Sequence, residues 1–396
     1  MTMNRPLRIL TLSTTFPNPE QPVFGSFVRS RALSIAERTP LTVVAPLSFF
    51  TGSKLSRAAR RVQTVRSDAG IGVFHPRWLN IPGGSPINAL LLAASVLYVI
   101  ARRGIGFDIL DVHFGYPDGV AGAVIATVLR KRFLVTLRGS ELLHARYPWR
   151  RRVIAWSLRC ASHVVAVSPE LGQLAMDLGV EPGRITVVGN GVNTDLFAFR
   201  EMSIDASCVL TNPKQQTILS VGNLIRLKGH DRIIRTLPQL VSRGKDVRLI
   251  IIGGESSGEP GYLKELQVLV EQLQLTDRVI FAGRLPASEV ARAMNSAALL
   301  CLASEREGCP NVVREALACG TPVVATRVGA VPSMIPDERY GIIVPAGDEP
   351  ALERALETAL ERRWDRRAIS LWGASRTWKQ VAHDVLRLME QAYAGA

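Results

Sequence analysis

The chain has 396 residues, 47% of them hydrophobic and 21% charged, and a formal net charge of +14. That length suits two domains of about 150 to 200 residues, and the balance of apolar to charged residues excludes a disordered chain. The charge is uneven: residues 1–200 carry 24 Lys and Arg against 11 Asp and Glu, whereas residues 201–396 carry 24 against 23.

An anionic partner is therefore expected for the first half alone. Nucleic acid is not that partner, because the chain has no zinc finger, RNA-binding aromatic motif or Lys/Arg-rich tail. Five cysteines (Cys160, Cys208, Cys301, Cys309, Cys319) include no C-x-x-C pair and no Cys/His cluster at zinc spacing. Reduced, packed thiols and a cytoplasmic setting are expected.

The N-terminal MTMNRPLRILTLSTTFP lacks an apolar signal core and reads as a first strand over 8–13. Phe24-Gly25-Ser26-Phe27 forms a glycine loop beyond it. A second strand covers 41–46, and a basic stretch runs from Ser56 to Arg61. The longest apolar run, Ala89–Ala101, has 13 residues, too few to span a bilayer, and reads as a buried helix. A strand over 108–114 closes on Asp111-Val112-His113-Phe114, and one over 132–137 leads into Arg138-Gly139-Ser140-Glu141. Tyr147–Trp156 interleaves arginines with Trp149, Val153 and Trp156 at i, i+4, i+7, the pattern of an interfacial amphipathic helix. Strands over 163–168 and 185–190 complete the first series, and the polar stretch 198–215 reads as a linker.

The second series has strands over 217–223, 248–254, 278–283, 298–304, 321–326 and 341–345, with helices over 224–243, 260–274, 286–296 and 311–319. Short continuous apolar strands alternating with helices predict parallel sheets covered on both faces. In such sheets ligands bind beyond the carboxyl ends of the strands. The chemistry-bearing residues stand there. Lys228 follows Asn223 and Arg226 after one strand, and Gly253-Gly254 ends the next. The segment Glu307-Gly308-Cys309-Pro310-Asn311-Val312-Val313-Arg314-Glu315 leads from a strand into a helix that Asn311 can cap and Gly320 can end. Free N–H groups at that helix start suit a phosphate or a sugar hydroxyl.

Glu307 and Glu315, as E-x7-E within EGCPNVVREALACGTPVVAT, resemble the signature of the retaining family 4 (group 1) glycosyltransferases. The resemblance extends over almost the whole chain and is similar to the transferases of cell-surface polysaccharide and teichuronic acid assembly. It implies an α/β GT-B fold, with two Rossmann-like domains (1–200 and 201–374) facing across a cleft and a terminal helix, 375–396, crossing back to the first. It implies that Glu307 contacts the transferred sugar and that Glu315 binds the nucleotide ribose beside Asn311 and Val312. Lys228 matches the lysine that neutralises the donor diphosphate, and Gly253-Gly254 the glycine turn near base and diphosphate. Where the family has a second cation, this chain has Asn223, so either Arg226 supplies the charge or Lys228 acts alone. His113 matches a histidine close to the donor sugar, and Gly25 a loop that approaches donor and acceptor. Arg138 and Glu141 replace a common His and Asp, and Ala330 and Ser333 replace a common Gly and Glu.

No D-x-D pair ends a strand, so no metal or other cofactor is expected. The implied donor is a UDP-sugar, with GDP-mannose as the alternative. The implied acceptor is a glycan or lipid-linked sugar at the inner face of the cytoplasmic membrane, with the basic first domain touching anionic lipid peripherally. Asn223, Ala330 and Ser333 keep a silent nucleotide-sugar or lipid binder as the alternative, alongside another enzyme of the same fold such as an epimerase.

Overall fold

A computed structural model describes residues 5–49, 61–82, 87–201, 215–256 and 258–395. The chain divides into two compact units: Met1–Asn190 together with Trp378–Ala396, and Gly191–Thr377. The division precedes residue 200 because Val192 and Phe197 pack into the core of the second unit. Most of the expected linker, Cys208 and most of the basic stretch from Ser56 lie outside the described residues.

The first unit holds β1 (Ile9–Leu12), β2 (Leu41–Val44), β3 (Leu47–Phe49), β4 (Val65–Asp68), β5 (Ile71–Phe74), β6 (Arg77–Leu79), β7 (Ile109–His113), β8 (Arg132–Leu137), β9 (His163–Ala166) and β10 (Ile185–Val187). Eight of them form one sheet in the order β10-β9-β8-β7-β1-β2-β5-β4, and β3 pairs with β6. All pairings are parallel except β4 with β5. The strands β3 to β6 have three or four residues each and were not expected from the sequence.

One face of this sheet packs Ile9, Val43, Val73, Ile109, Leu134 and Val165 against Val28, Ala32 and Ile35 of helix Ser26–Ala36 and Val381, Val385 and Met389 of helix Trp378–Ala394. Elsewhere Gly122 of helix Val120–Leu129 lets the helix close on β7, since a Cβ there would stand 2.6 Å from a Val112 methyl.

Helix Ile87–Arg103 departs from the fully buried helix expected at Ala89–Ala101. Ala89, Ala93, Val96 and Ile100 are buried, while Ile87, Leu90 and Tyr98 are exposed on its other side. It packs on helix Val120–Leu129, on β6 and on residues 115–119, and nothing described covers its far side. Helix Pro148–Cys160 also differs from its expected stripe. Trp149 stands edge-on to Tyr116 at 5.6 Å and Val153 is half-buried, so only Trp156 of the three is exposed. Among the described residues no helix is long and apolar enough to cross a membrane.

The second unit holds β11 (Gln216–Val221), β12 (Val247–Ile252), β13 (Val279–Gly283), β14 (Leu299–Leu302), β15 (Val323–Thr326) and β16 (Gly341–Val344), parallel in the order β13-β12-β11-β14-β15-β16. Successive residues serve opposite faces, as the pleat requires. Leu219, Ile250 and Leu300 enter one cluster, and Ile218, Leu249 and Leu299 the other.

Candidate active site

In the second unit two strand-end loops are drawn together. After β11 the chain runs through Asn223 into a short 3-10 turn, Arg226–Lys228, and then helix His230–Ser242. Gly229 between them has φ +67°, and a Cβ there would lie 2.2 Å from the carbonyl oxygen of Ala303. This close approach sets the loop against the end of β14. Glu305 N–H donates to the Leu227 carbonyl at 3.0 Å, and Arg232 pairs with Glu305. Lys228 Nζ then meets Glu307 Oε1 at 2.6 Å, and the Ser304 hydroxyl donates to the same oxygen at 2.8 Å.

The glycines admit the neighbouring loops. A Cβ on Gly253 would stand 1.7 Å from the Gly222 carbonyl, and one on Gly329 would stand 2.4 Å from the carbonyls of Glu307 and Gly308. Gly254 lies under the Arg284 side chain. Helix Asn311–Ala318 starts after Pro310, and no side chain caps it. Asn311 is its first helical residue rather than the expected cap, because a capping residue needs a non-helical backbone and here Pro310 has it. Val312 and Glu315 are half-buried on this helix. Burial pushes the Glu315 carboxyl up to about 7, and no described residue hydrogen-bonds it. The Arg226 guanidinium pairs with Glu265 at 2.6 Å and lies over the Tyr262 ring, so it is engaged away from Lys228.

In the first unit His113 ends β7 with 1% exposure. Its Nδ1 accepts from Arg138, 3.0 Å from Nη2, and its Nε2 stands 3.2 Å from Asp111 Oδ2. Arg31 joins the group through Asp111 and donates to Thr136 Oγ1 at 2.8 Å. Arg138 Nη1 donates to Asn190 Oδ1 at 2.6 Å, and its guanidinium covers Phe27. Burial and the two guanidinium groups push His113 down to about 3 against the pull of Asp111, so the ring is neutral. Both nitrogens are engaged, and direct contact with a sugar would require one pairing to open.

Glu141, fully buried, accepts the N–H groups of Gly115, Gly139 and Arg138 at 2.7, 2.7 and 3.1 Å, and so ties the loop after β7 to the turn after β8. Asp118 accepts the Thr14 N–H and hydroxyl, the latter at 2.8 Å, and burial pushes it up to about 7. Gly25 has φ +74° and packs on the Thr15 carbonyl, which holds the loop beyond β1.

Residues 207–371 match the family model for glycosyl transferases group 1, and residues 42–196 match that for glycosyltransferase family 4. The D-inositol 3-phosphate glycosyltransferase of Acidothermus cellulolyticus is 30% identical over 312 residues, covering 72% of this chain and 68% of that protein. The chain belongs to the group 1 glycosyltransferases. A second relative of this family, Bacillus subtilis TuaC, whose name assigns it to teichuronic acid biosynthesis, is 24% identical over 388 residues, 90% of each chain. The solved structure of Anabaena HepE in complex with UDP superposes with a TM-score of 0.74 at 19% identity, covering 97% of this chain and all of that one. This glycosyltransferase accordingly has the GT-B fold.

In this glycosyltransferase the structure groups Lys228, Glu307, Asn223 and Gly253 at adjoining strand ends, with Asn311, Val312 and Glu315 on the helix that follows Glu307. Sequence reasoning missed His230. Its ring is buried, lies 2.9 Å from Ser220 Oγ, and donates Nε2–H to the Asn223 carbonyl at 3.2 Å, fixing the loop that presents Lys228. Burial pushes it down to about 4, so it is neutral. Its place directly after Lys228-Gly229 was the available signal. Arg31 was missed as well, because nothing local separates it from Arg29 on the same helix, and an arginine in a helix looks solvated until the fold buries it.

Proposed function

We propose that this glycosyltransferase moves a sugar from a UDP-sugar to a glycan or lipid-linked acceptor of the cell envelope, with retention at the anomeric carbon. The observation that carries the reading is the Lys228–Glu307 pair at 2.6 Å beside a half-buried, unpartnered Glu315. Lys228 meets the diphosphate, Glu307 orients the transferred sugar, and Glu315 accepts the ribose hydroxyls. Asn223, Gly253 and Gly254 line the diphosphate with backbone, and Val312 and the amide of Asn311 flank the nucleotide. Because Glu265 holds Arg226, Lys228 is the working cation of its loop.

In the transfer step the bond from the anomeric carbon to the phosphate oxygen breaks, and its electron pair stays with the diphosphate. The acceptor oxygen attacks the same face, and its proton passes to the departing phosphate oxygen. Lys228 and the positive end of helix Asn311–Ala318 stabilise that charge. His113 acts by positioning Arg138, and the Gly25 loop adjoins the acceptor. The UDP in the HepE complex and the teichuronic acid role in the name of TuaC support the donor and the setting. The basic first unit supports peripheral contact with the inner face of the membrane.

Thermal stabilisation by UDP, GDP, ADP and their sugars tests the reading. UDP and one UDP-sugar raise the melting temperature, and Glu315→Ala abolishes the rise. A shift with GDP alone would replace the donor. No shift with any of them would overturn the reading and bring Asn223 first into question.

A further inference from the structure

Helices Ile87–Arg103, Val120–Leu129 and Pro148–Cys160 lie side by side in the first unit, the middle one packed on both others. None of the three contains an acidic residue. Between residues 69 and 160 the chain has twelve Lys and Arg but four acids, Asp108, Asp111, Asp118 and Glu141. All four acids are buried, at 5%, 1%, 1% and 0% exposure. The surface of this ninety-residue stretch therefore carries positive charge alone. Each helix also exposes large apolar groups: Leu90 and Tyr98 on the first, Val128 on the second and Trp156 on the third, at 53%, 67%, 60% and 40%. Leu79 and Ile81, beside the first helix, are exposed as well. Arg102 and Arg103 at the end of the first helix have no ion-pair partner among the described residues.

We infer that this three-helix layer docks on an anionic lipid bilayer, its apolar side chains entering the headgroup boundary and its arginines meeting lipid phosphates. Apolar side chains standing singly on a surface need no explanation, but here they recur on three adjacent helices that carry arginines and no acidic residue. A bilayer with acidic headgroups is complementary to that combination. A second copy of this face is not, because it would set like charges against each other. The inference rests on the peripheral contact proposed above and narrows it from the first unit to one surface of that unit. It is independent of the transfer chemistry, since vesicle binding can fail while the protein still binds UDP.

Full-length protein is sedimented with vesicles of phosphatidylglycerol and phosphatidylcholine in equal parts, and with phosphatidylcholine alone. The protein pellets with the mixed vesicles and stays largely in solution with the neutral ones. Joint substitution Leu90→Glu and Tyr98→Glu lowers the bound fraction about tenfold, as does Arg151→Glu with Arg152→Glu. Leu371→Glu, at an exposed position of the second unit, leaves it unchanged. Equal pelleting of wild type and both double variants would overturn the inference. So would no pelleting with the mixed vesicles, or a concentration-dependent dimer in sedimentation velocity that Leu90→Glu with Tyr98→Glu dissociates. A UDP melting shift measured on the same preparations separates loss of docking from failure of the transferase reading.

Discussion

Glu307 is held by two donors, Lys228 and Ser304, at 2.6 and 2.8 Å. A charge-assisted contact of this kind fixes the lysine where a leaving diphosphate would gain charge. Lys228→Ala should lower kcat by about a hundredfold, with a smaller change in KM, because the interaction strengthens as the bond breaks. Steady-state kinetics on a donor found by the melting panel would show this, and an unchanged kcat would remove Lys228 from the chemical step. Glu315 makes a prediction of a different kind. Burial raises it from 4.5 to about 7, so between those values the folded protein keeps a proton that the unfolded chain has released. Stability therefore falls as pH rises through that window. Ribose hydroxyls donate to the ionised carboxylate, so UDP affinity should rise over the same window and binding should release a proton. Calorimetry in buffers of different ionisation enthalpy would detect that proton, and Glu315→Gln should abolish it.

At the scale of elements, the site depends on how closely strand-end loops approach one another. Gly229→Ala places a methyl against the Ala303 carbonyl at a backbone angle that L-residues disfavour. The two loops should separate, and kcat/KM should fall about a hundredfold while the fold persists. The loops of the first unit are tied by Glu141, which satisfies three buried amides. Glu141→Ala leaves those amides unpaired and should cost about 3 kcal/mol or more of stability, read as a lower denaturation midpoint. Replacement of the family's Asp by Glu keeps the carboxylate and adds a methylene. One carboxylate thereby serves both Gly115 and Gly139.

Across the whole molecule the first unit is discontinuous in sequence. Trp378, Val381, Val385, Leu386 and Met389 complete its core from the far end of the chain. Removal of residues 378–396 should expose that core, so that the transition of the first unit is lowered or lost. On the proposed reading UDP should still stabilise the second unit, which holds Lys228, Glu307 and Glu315. Scanning calorimetry with and without UDP distinguishes the two, and a truncated chain whose melting profile matches the full one would refute the assignment.

The sequence by itself determined the twelve principal strands, because short β-branched runs between helical segments bury both faces and leave a continuous apolar signal. It also carried the E-x7-E segment and Lys228 and their resemblance to the family motifs, which is legible because the residues concerned stand within single loops. It did not determine which charges meet. Arg226 pairs with Glu265, 39 residues away, and Arg31 with Asp111, 80 residues away, contacts that no local pattern carries. Nor did it show which side of the Ala89–Ala101 run faces outward, because a helix apolar all round does not say which side its neighbours cover. The resemblance placed His113 close to the donor sugar, and no local pattern showed that its ring is engaged. Only the packing of Arg31, Asp111 and Arg138 around it, from three separate parts of the chain, made it a buried and neutral member of a network.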